Sequence, residues 1–356
     1  MAEVRFAGVS FSYPGFATPA LRELDLTVRA GEFLSVVGPS GSGKTTLLRL
    51  LSGVDTPTGG EILIDGRVVN RVPPIERGVA TVPARPSLYG HLTVGQNIGF
   101  SMSIAGVAAS VVSARVVDVA GTLGLQRLLN RTPQSLSQPE RQAVFLARAL
   151  VRPSAVLVLD EPLAALDRDD RQQARAQLAR LRTGTDTTVL HVTQDFNEAM
   201  TLGDRVAVLD GGRLVELGVP LDVYHRPETL SAARFFGSPP MNTLDAVVTP
   251  EGARVGDLLI PVPAALGLPV GAGVVVAMRA EAVHLLPRGA TLAVTGAEIT
   301  GNSASVRGTL VDDPRRQTLV VRCSMRDLPR TGDRVAVDVL DDDRVLFFDP
   351  RSGRRL

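Results

Sequence analysis

The sequence is poor in cysteine: its 356 residues include one, Cys323. A single thiol cannot close an internal disulfide, which suits a reducing compartment. Long apolar runs are missing too: stretches such as AVLVL and GVVVAM have the length of strands and fall far short of the roughly 20 apolar residues of a membrane-spanning helix. No apolar signal run follows the first residues. We therefore expect a cytoplasmic chain whose role at any membrane depends on a partner.

An excess of charge of one sign is also missing. Lys and Arg total 38 against 37 Asp and Glu, which gives a formal net charge of +1. A strongly basic balance would indicate a nucleic acid or an anionic membrane surface as partner, and this balance indicates neither. We expect no nucleic-acid partner. The length predicts two domains, each large enough to bury its own core.

The two halves of the sequence differ in pattern. Up to about residue 235, β-branched runs alternate with helical patterns, which predicts an α/β domain, with a mostly helical insertion at about 94–150. From residue 236 to 356, after FFGSPPMN, short strands separated by Gly, Pro and Asp turns predict small β-barrel modules. The α/β region contains three predicted buried strands and one predicted helix: EFLSVVG, AVLVLDE and TTVLHVTQD, and KTTLLRLLSG, which Gly53 ends.

A glycine-rich stretch, GPSGSGKTT, matches the phosphate-binding pattern G-x-x-x-x-G-K-[ST] between a predicted strand and a predicted helix. The glycines let the backbone wrap with its amides inward, the lysine offers its charge to the outer phosphates, and the hydroxyl of Thr45 can bind magnesium. The sequence therefore predicts a nucleotide site. Its residues are Gly38, Pro39, Ser40, Gly41, Ser42, Gly43, Lys44, Thr45 and Thr46.

Two carboxylates, Asp160 and Glu161, end the predicted strand AVLVL. They are expected at the carboxyl edge of the sheet, where α/β proteins bind their ligands. One can hold a metal ion, and the other can orient or deprotonate an attacking water. A strand that ends in Asp-Glu is often only a solvated strand end, but the phosphate-binding loop in the same domain favours catalysis.

Another predicted helix begins within the stretch TPQSLSQPERQAVFLARAL. Ser137 and Glu140 have the spacing of a capping box, in which the hydroxyl accepts from a first-turn amide and the carboxylate reaches back. Pro139 in the first turn removes an amide that has no partner within the helix. A ligand that needed this amide would lose it.

Together these motifs resemble an ABC-transporter ATPase over essentially the whole chain. The resemblance rests on Tyr13, the loop at Gly38, and the stretches LSQPE, LVLDEP, LAALD and VTQDFNEAMTLGDRVAVLDGGRLVELGVP, in that order. The tail, with FFGSPPMN and AMRAEAVHL, resembles the regulatory tail of subunits that energise maltose, trehalose and glycerol-phosphate import. The resemblance implies a P-loop ABC domain over residues 1–235 and a small OB-like β-barrel regulatory domain (TOBE) over residues 236–356.

The resemblance also implies roles for individual residues. Tyr13 would stack on the adenine of ATP, although the same tyrosine could simply belong to the core of a first hairpin. Thr45 and Asp160 would bind Mg²⁺, and Glu161 would act as the general base. The other implied positions are Gln194 at the γ-phosphate, Asp167 at a dimer interface, and Ser137, Gln138, Pro139 and Glu140 as the signature that faces the partner's nucleotide.

Partners and location follow from the same resemblance. Two such domains close head to tail on two ATP molecules, and a homodimer is the simplest arrangement. Integral-membrane permease subunits would bind the dimer at the cytoplasmic face of the membrane, with an extracytoplasmic solute-binding protein as an indirect partner. The transported solute does not touch this chain and cannot be predicted from it.

Three positions depart from the family pattern. The signature reads LSQPE where the family has LSGGQ, so Gln138 and Pro139 replace two glycines. Ala84 stands where the family has a glutamine that senses magnesium and water, and Gln194 stands where it has a histidine. Gln194 can still donate a hydrogen bond but carries no titratable proton. His191, three residues earlier, is expected to face the core.

Two interpretations remain open on the sequence. In the first, the chain is a working ATPase of a sugar-type importer with reduced activity, because Glu161 and the whole phosphate-binding loop are intact. In the second, the chain binds nucleotide, hydrolyses it poorly and serves a structural or regulatory purpose. A soluble ABC protein of translation or DNA repair is disfavoured by the single phosphate-binding loop and the importer-type tail.

Overall fold

The computed structural model describes residues 1–84, 87–184, 187–340 and 344–356, with the backbone alone for residues 181–184. The chain divides into two compact units, Met1–Leu221 and Asp222–Leu356. Among the described residues, no helix is both long enough and apolar enough to cross a membrane.

The first unit is built from strands and helices that alternate along the chain, as predicted. Its strands are β1 Val4–Phe11, β2 Leu21–Val28, β3 Phe33–Val37, β4 Gly59–Ile64, β5 Arg67–Val68, β6 Val79–Val82, β7 Val156–Asp160, β8 Thr188–Val192, β9 Arg205–Asp210 and β10 Arg213–Gly218. Its helices are α1 Lys44–Ser52, α2 Val94–Ile104, α3 Ala109–Leu123, α4 Gln138–Leu150, α5 Arg168–Gly184 and α6 Phe196–Leu202. A further helix, α7 Pro220–His225, crosses the boundary between the units in the sequence.

A six-stranded sheet in the order β10-β9-β3-β8-β7-β6 forms the centre of this unit. All its pairs are parallel except β10 with β9. Every residue of β3 and β8 is buried, which explains why both strands read as continuous apolar runs. Because the strands are parallel, the ends of β3, β7 and β8 lie at one edge of the sheet. A smaller antiparallel sheet, β2-β1-β4-β5, completes the unit.

Three helices, α2, α3 and α4, fill the interval between β6 and β7, where the helical insertion was predicted. Their inward faces share one hydrophobic cluster, which includes Ile98 of α2, Val119 of α3 and Ala147 of α4. The same cluster contains Leu157 of β7, so the insertion packs on the central sheet. Its position relative to the sheet is therefore fixed by apolar contacts.

The second unit is mainly antiparallel β structure preceded by helix α8 Leu230–Phe235. Its strands are β11 Asn242–Thr249, β12 Gly252–Val255, β13 Leu258–Ile260, β14 Gly273–Met278, β15 Val283–Leu286, β16 Ala290–Thr300, β17 Ser303–Leu310, β18 Thr318–Ser324, β19 Arg334–Val339 and β20 Val345–Phe348. They form two five-stranded sheets, β13-β12-β11-β14-β20 and β15-β19-β16-β17-β18. Leu244 and Val276 of the first sheet share a hydrophobic cluster with Leu292 and Val321 of the second.

The division predicted after residue 235 lies inside this second unit. Helix α8 packs there, because Ala233 belongs to a buried cluster with Val275, Ala277 and Phe348. The change of composition at FFGSPPMN marks the end of the helices, whereas the compact unit begins earlier. The assignment of residues 1–235 and 236–356 as functional domains stays a prediction.

Candidate functional site

The phosphate-binding loop joins β3 to α1 and fits closely against its neighbours. Gly38 and Gly43 have φ values of 148° and 101°, a region that side chains avoid. A Cβ atom on Gly43 would lie 2.5 Å from the carbonyl oxygen of Ala20, and one on Gly38 would collide with the carbonyl of Leu209. Both positions therefore require glycine for conformation and for space. Helix α1 begins at Lys44 and ends at Gly53, as predicted.

Lys44 is the only lysine of the chain. Its ammonium donates hydrogen bonds to the carbonyl oxygens of Gly38, at 2.9 Å, and Pro39, at 2.8 Å, and lies 3.4 Å from the hydroxyl of Ser42. Burial lowers the pKa of Lys44, while the carboxylates of Glu161 and Asp160 act in the opposite direction. The loop thus holds a cation in place beside the phosphate-binding amides.

Thr45 and Asp160 meet as the sequence predicted. The hydroxyl of Thr45 donates to the carboxylate of Asp160 over 3.5 Å. Burial raises the pKa of Asp160, the neighbouring charge of Glu161 raises it further, and the hydrogen bond from Thr45 and the charge of Lys44 oppose the rise. A hydroxyl and a carboxylate are oxygen ligands of the kind that Mg²⁺ prefers, so the donor set fits this ion.

Glu161 and Gln194 also meet, although 33 residues separate them. The Gln194 side-chain amide donates to Oε1 of Glu161 over 2.6 Å. Glu161 has a φ of 46°, and its backbone N–H donates to the carbonyl of Val192 over 2.9 Å, which ties the ends of β7 and β8 together. A cavity of about 410 Å³ beside this pair is lined by Glu161, Gln194 and Thr193 among others. The general base predicted from sequence is therefore held by the residue that replaces the family's histidine.

Beneath Gln194 lies a buried hydrogen-bond network that the sequence did not predict. The Thr193 hydroxyl donates to the carboxylate of Glu198 over 2.7 Å and accepts from the backbone N–H of Asp195 over 3.0 Å. Glu198 is 2% exposed. Arg171 of α5 lies 3.5 Å from the Asp195 carboxylate. These contacts fix the turn that carries Gln194. The only feature of the sequence that could have indicated this network is the spacing of Asp195 and Glu198, which is typical of a helix start.

His191 is fully buried, as predicted. Its Nδ1 lies 3.3 Å from the Ser35 hydroxyl and its Nε2 lies 3.5 Å from the Glu198 carboxylate. Among the described residues, Nε2 has no hydrogen-bond partner. The expectation of a core histidine therefore holds for its position, and one of its two ring nitrogens is hydrogen-bonded.

Tyr13 lies beside the phosphate-binding loop. Its hydroxyl is 3.2 Å from the hydroxyl of Thr46, and its ring meets that of Phe11 edge to face at 4.8 Å. The half-buried ring also packs against the hydrophobic core of the sheet. Phe16, which is 72% exposed, lies 6.3 Å from the Tyr13 ring. The position suits an adenine contact, and that role stays a prediction.

The signature helix has the predicted capping box. The Ser137 hydroxyl accepts from the N–H of Glu140 over 3.4 Å, and the Glu140 carboxylate accepts from the N–H of Ser137 over 2.7 Å. Pro139 is buried, whereas Ser137 and Gln138 are exposed. The exposed surface of these three residues is therefore formed by Ser137 and Gln138.

Two predicted site residues lie apart from this cluster. Asp167 is exposed, and its carboxylate accepts from the N–H of Asp170 over 2.9 Å, so it caps the start of α5. Ala84 follows β6 and is half-buried. No hydrogen bond between described residues joins Asp167 or the signature residues to Lys44, Asp160 or Glu161. The roles implied for Asp167 and the signature residues at a dimer interface stay predictions.

Comparison of this chain with known proteins identifies its family. The sequence profile of the ABC transporter family matches residues 21–164. The sn-glycerol-3-phosphate import ATP-binding protein UgpC of Ralstonia nicotianae is 39% identical over 374 residues, covering 100% of this chain and 99% of the relative. Its counterpart in Burkholderia thailandensis is 40% identical, with coverage of 100% and 99%. A solved dimeric ATP-binding cassette in a post-hydrolysis state, bound to ADP and Pi, has a TM-score of 0.53 at 28% identity and covers 61% of this chain and 98% of its own.

The chain therefore belongs to the ABC transporter family. Within it, the chain is an ATP-binding subunit of the carbohydrate-importer type, and its reaction is ATP hydrolysis coupled to transport. The interpretation as a structural or regulatory subunit that binds nucleotide and hydrolyses it poorly is not favoured.

Proposed function

We propose that the chain energises the import of a small phosphorylated solute of the glycerol-phosphate class. Support comes from the similarity over the full chain to relatives described as sn-glycerol-3-phosphate import ATP-binding proteins. The single structural observation that supports hydrolysis is the Gln194–Glu161 hydrogen bond of 2.6 Å, because it keeps a carboxylate oriented at the edge of the sheet beside the phosphate-binding loop. The subunit would act at the cytoplasmic face of the membrane, through permease subunits.

Each residue of the site has its own role in the proposed hydrolysis of ATP. Lys44 and the amides of residues 38–46 bind the phosphates, and Glu161 accepts a proton from the attacking water while Gln194 holds that carboxylate. Thr45 and Asp160 would hold Mg²⁺, which neutralises charge on the phosphates when bound. Tyr13 would contact the adenine. Ala84 contributes no polar group here, which is consistent with a slower reaction.

Two copies of the chain would complete the sites in a homodimer. Ser137 and Gln138 are the exposed part of the signature and would face the partner's nucleotide, with Asp167 at the same interface. The Ser137 hydroxyl is already engaged by the capping box, so contact with a γ-phosphate competes with a bond inside its own helix. ATP-driven closure should therefore be weaker than in a subunit with glycines in its signature.

A groove on the first unit suits a permease. It has a volume of about 700 Å³, and its lining includes Tyr89, Phe100, Ile104 and Arg148. Ile104 is 71% exposed, and the Arg148 guanidinium lies 5.0 Å from the centre of the Tyr89 ring. Exposed apolar and aromatic side chains next to a cation are typical of protein interfaces. The second unit would act as an OB-like regulatory domain, and an extracytoplasmic solute-binding protein would deliver the solute.

An assay of the complex tests the assigned solute. The chain is purified with its permease subunits, reconstituted into liposomes, and supplied with the cognate solute-binding protein. We expect sn-glycerol 3-phosphate to raise ATP hydrolysis several-fold, whereas maltose and trehalose leave it at its basal rate. Stimulation by maltose or trehalose, without an effect of glycerol 3-phosphate, would refute the assigned class of solute.

A glycine signature should strengthen dimerisation. We expect Gln138→Gly with Pro139→Gly, in a Glu161→Gln background, to shift more of the chain into an ATP-dependent dimer, because two glycines allow closer backbone approach to a phosphate. The change costs helix stability, at about 1 kcal/mol for each glycine in a helix interior and less in a first turn. Size-exclusion chromatography with and without ATP measures the dimer fraction, and Gln134→Gly, outside the motif, is the control. An unchanged fraction would show that the signature does not limit closure.

A further inference from the structure

The second unit contains a cavity that no step of ATP hydrolysis uses. Its volume is about 860 Å³, and its lining includes Tyr224, Arg226, Arg279, Phe347 and Arg355. The volume is within the range of pockets that hold small molecules. All of these residues belong to the unit Asp222–Leu356, so the cavity is formed by one compact body.

One cation in the cavity wall is buried and donates its hydrogen bonds to neutral carbonyl groups. Arg279 is 9% exposed. One terminal nitrogen of its guanidinium donates to the carbonyl of Phe236 and the other to the carbonyl of Tyr224, at 2.5 Å, and the group lies 4.0 Å from the centre of the Tyr224 ring. Its Nε has no hydrogen-bond partner among the described residues. Burial lowers the pKa of Arg279, while Tyr224 and the charge of Glu281 act in the opposite direction.

Three more arginines line the same cavity: Arg226, Arg344 and Arg355. Arg226 and Arg355 are exposed, and Arg355 donates to the backbone carbonyl of Arg226 over 2.9 Å. Within the described part of the chain, no carboxylate forms an ion pair with Arg226, Arg279 or Arg355. Glu281 also lines the cavity, but its carboxylate is paired with Arg322 at 2.5 Å. Arg226, Arg279 and Arg355 therefore share a local excess of positive charge.

A second cavity of the same unit provides an internal comparison. It also has a volume of about 860 Å³, but both of its arginines have carboxylate partners. Arg315 is paired with Asp245 at 2.7 Å, and Arg254 with Glu251 at 3.0 Å. The two cavities therefore differ in whether a carboxylate is paired with their arginines.

We propose that the cavity lined by Arg226, Arg279 and Arg355 binds a small anion that carries a phosphoryl group. Guanidinium groups recognise phosphate through paired, charge-assisted hydrogen bonds. A phosphoryl group carries a charge of about −1.5 to −2 at pH 7, which matches several neighbouring cations better than a single carboxylate does. The site goes beyond the nucleotide-dependent activity and does not depend on which solute the importer carries.

Calorimetric titration of the full chain tests the site. A saturating non-hydrolysable Mg-ATP analogue is present throughout, so that the nucleotide site is already filled, including the position of the γ-phosphate. The probes are inorganic phosphate, sn-glycerol 3-phosphate and, as uncharged control, glycerol. We expect one molecule of a phosphoryl anion to bind per chain, and the tighter of the two probes identifies whether the source is free phosphate or a phosphate ester. Glycerol should give no binding heat.

Variants locate the bound anion. Arg226→Gln and Arg355→Gln should each weaken binding about tenfold, because each removes charge-assisted hydrogen bonds. Both side chains are exposed, so the fold should survive, and unchanged thermal unfolding confirms that it does. Arg254→Gln, in the comparison cavity, should leave the affinity unchanged. If neither anion binds, or if Arg254→Gln loses as much affinity as Arg226→Gln and Arg355→Gln, the proposal is overturned. This test does not depend on whether the chain serves a glycerol-phosphate importer.

Discussion

The Glu161→Gln variant of the assembled complex is expected to hydrolyse ATP at least about a hundredfold more slowly than the unmodified complex, with little change in its affinity for Mg-ATP. A positioned general base contributes about 10²- to 10⁴-fold to such reactions. Glutamine keeps the size of the side chain but cannot accept the proton. The loss should therefore appear in kcat and not in nucleotide binding.

Phosphate release under saturating ATP measures the rate, and a fluorescent ATP analogue measures the affinity. Glu76→Gln is the matched control, since Glu76 is an exposed carboxylate of the same unit, outside the site. It should hydrolyse ATP at the unmodified rate. If Glu161→Gln retained more than about a tenth of the activity, Glu161 would not be the base.

Replacement of Lys44 by alanine should weaken Mg-ATP binding roughly a hundredfold. The side chain supplies hydrogen bonds from a charged donor, each worth about 1.5–3 kcal/mol, and 1.4 kcal/mol corresponds to a factor of ten. Because Lys44 is a buried cation held by neutral carbonyls, its removal should not lower the thermal unfolding temperature by more than a few degrees. Measuring both the Mg-ATP affinity and the thermal unfolding temperature thus distinguishes weaker nucleotide binding from a destabilised fold.

Lys44→Arg is the informative companion variant. It keeps the charge but replaces a compact ammonium by a wider planar group. The carbonyls of Gly38 and Pro39 lie 2.9 and 2.8 Å from the Lys44 ammonium, which leaves little room for a guanidinium. We expect Lys44→Arg to bind Mg-ATP more weakly than the unmodified chain. Full affinity in Lys44→Ala would contradict the role of this side chain.

The parts of the site that the sequence predicted are those written in short stretches. A glycine-rich loop between a strand and a helix, and a Ser-x-x-Glu helix start, are specified by neighbouring residues, and the structure has both. The buried strands β3, β7 and β8 were recognisable because strands covered on both faces are continuously apolar. Local rules suffice for such elements.

The parts that were missed depend on contacts between distant segments. The Gln194–Glu161 bond spans 33 residues, and no local pattern specifies it. Glu198 looks like an ordinary helix-surface carboxylate in the sequence, and only the packing of α6 on the sheet makes it a buried partner of Thr193. Packing of α8 on β14 and β20, which includes this helix in the second compact unit, is likewise not visible in composition.

The solitary lysine has a chemical consequence. The chain carries its remaining positive side-chain charge on arginines, which do not react as amines at neutral pH. Its one nucleophilic side-chain amine lies against the carbonyls of Gly38 and Pro39, and burial lowers its pKa, so a larger fraction is unprotonated than in an exposed lysine. Every acetyl, carbamyl or glycation adduct on a lysine of this chain is therefore an adduct of the predicted phosphate-binding loop, and we expect bound nucleotide to protect against it.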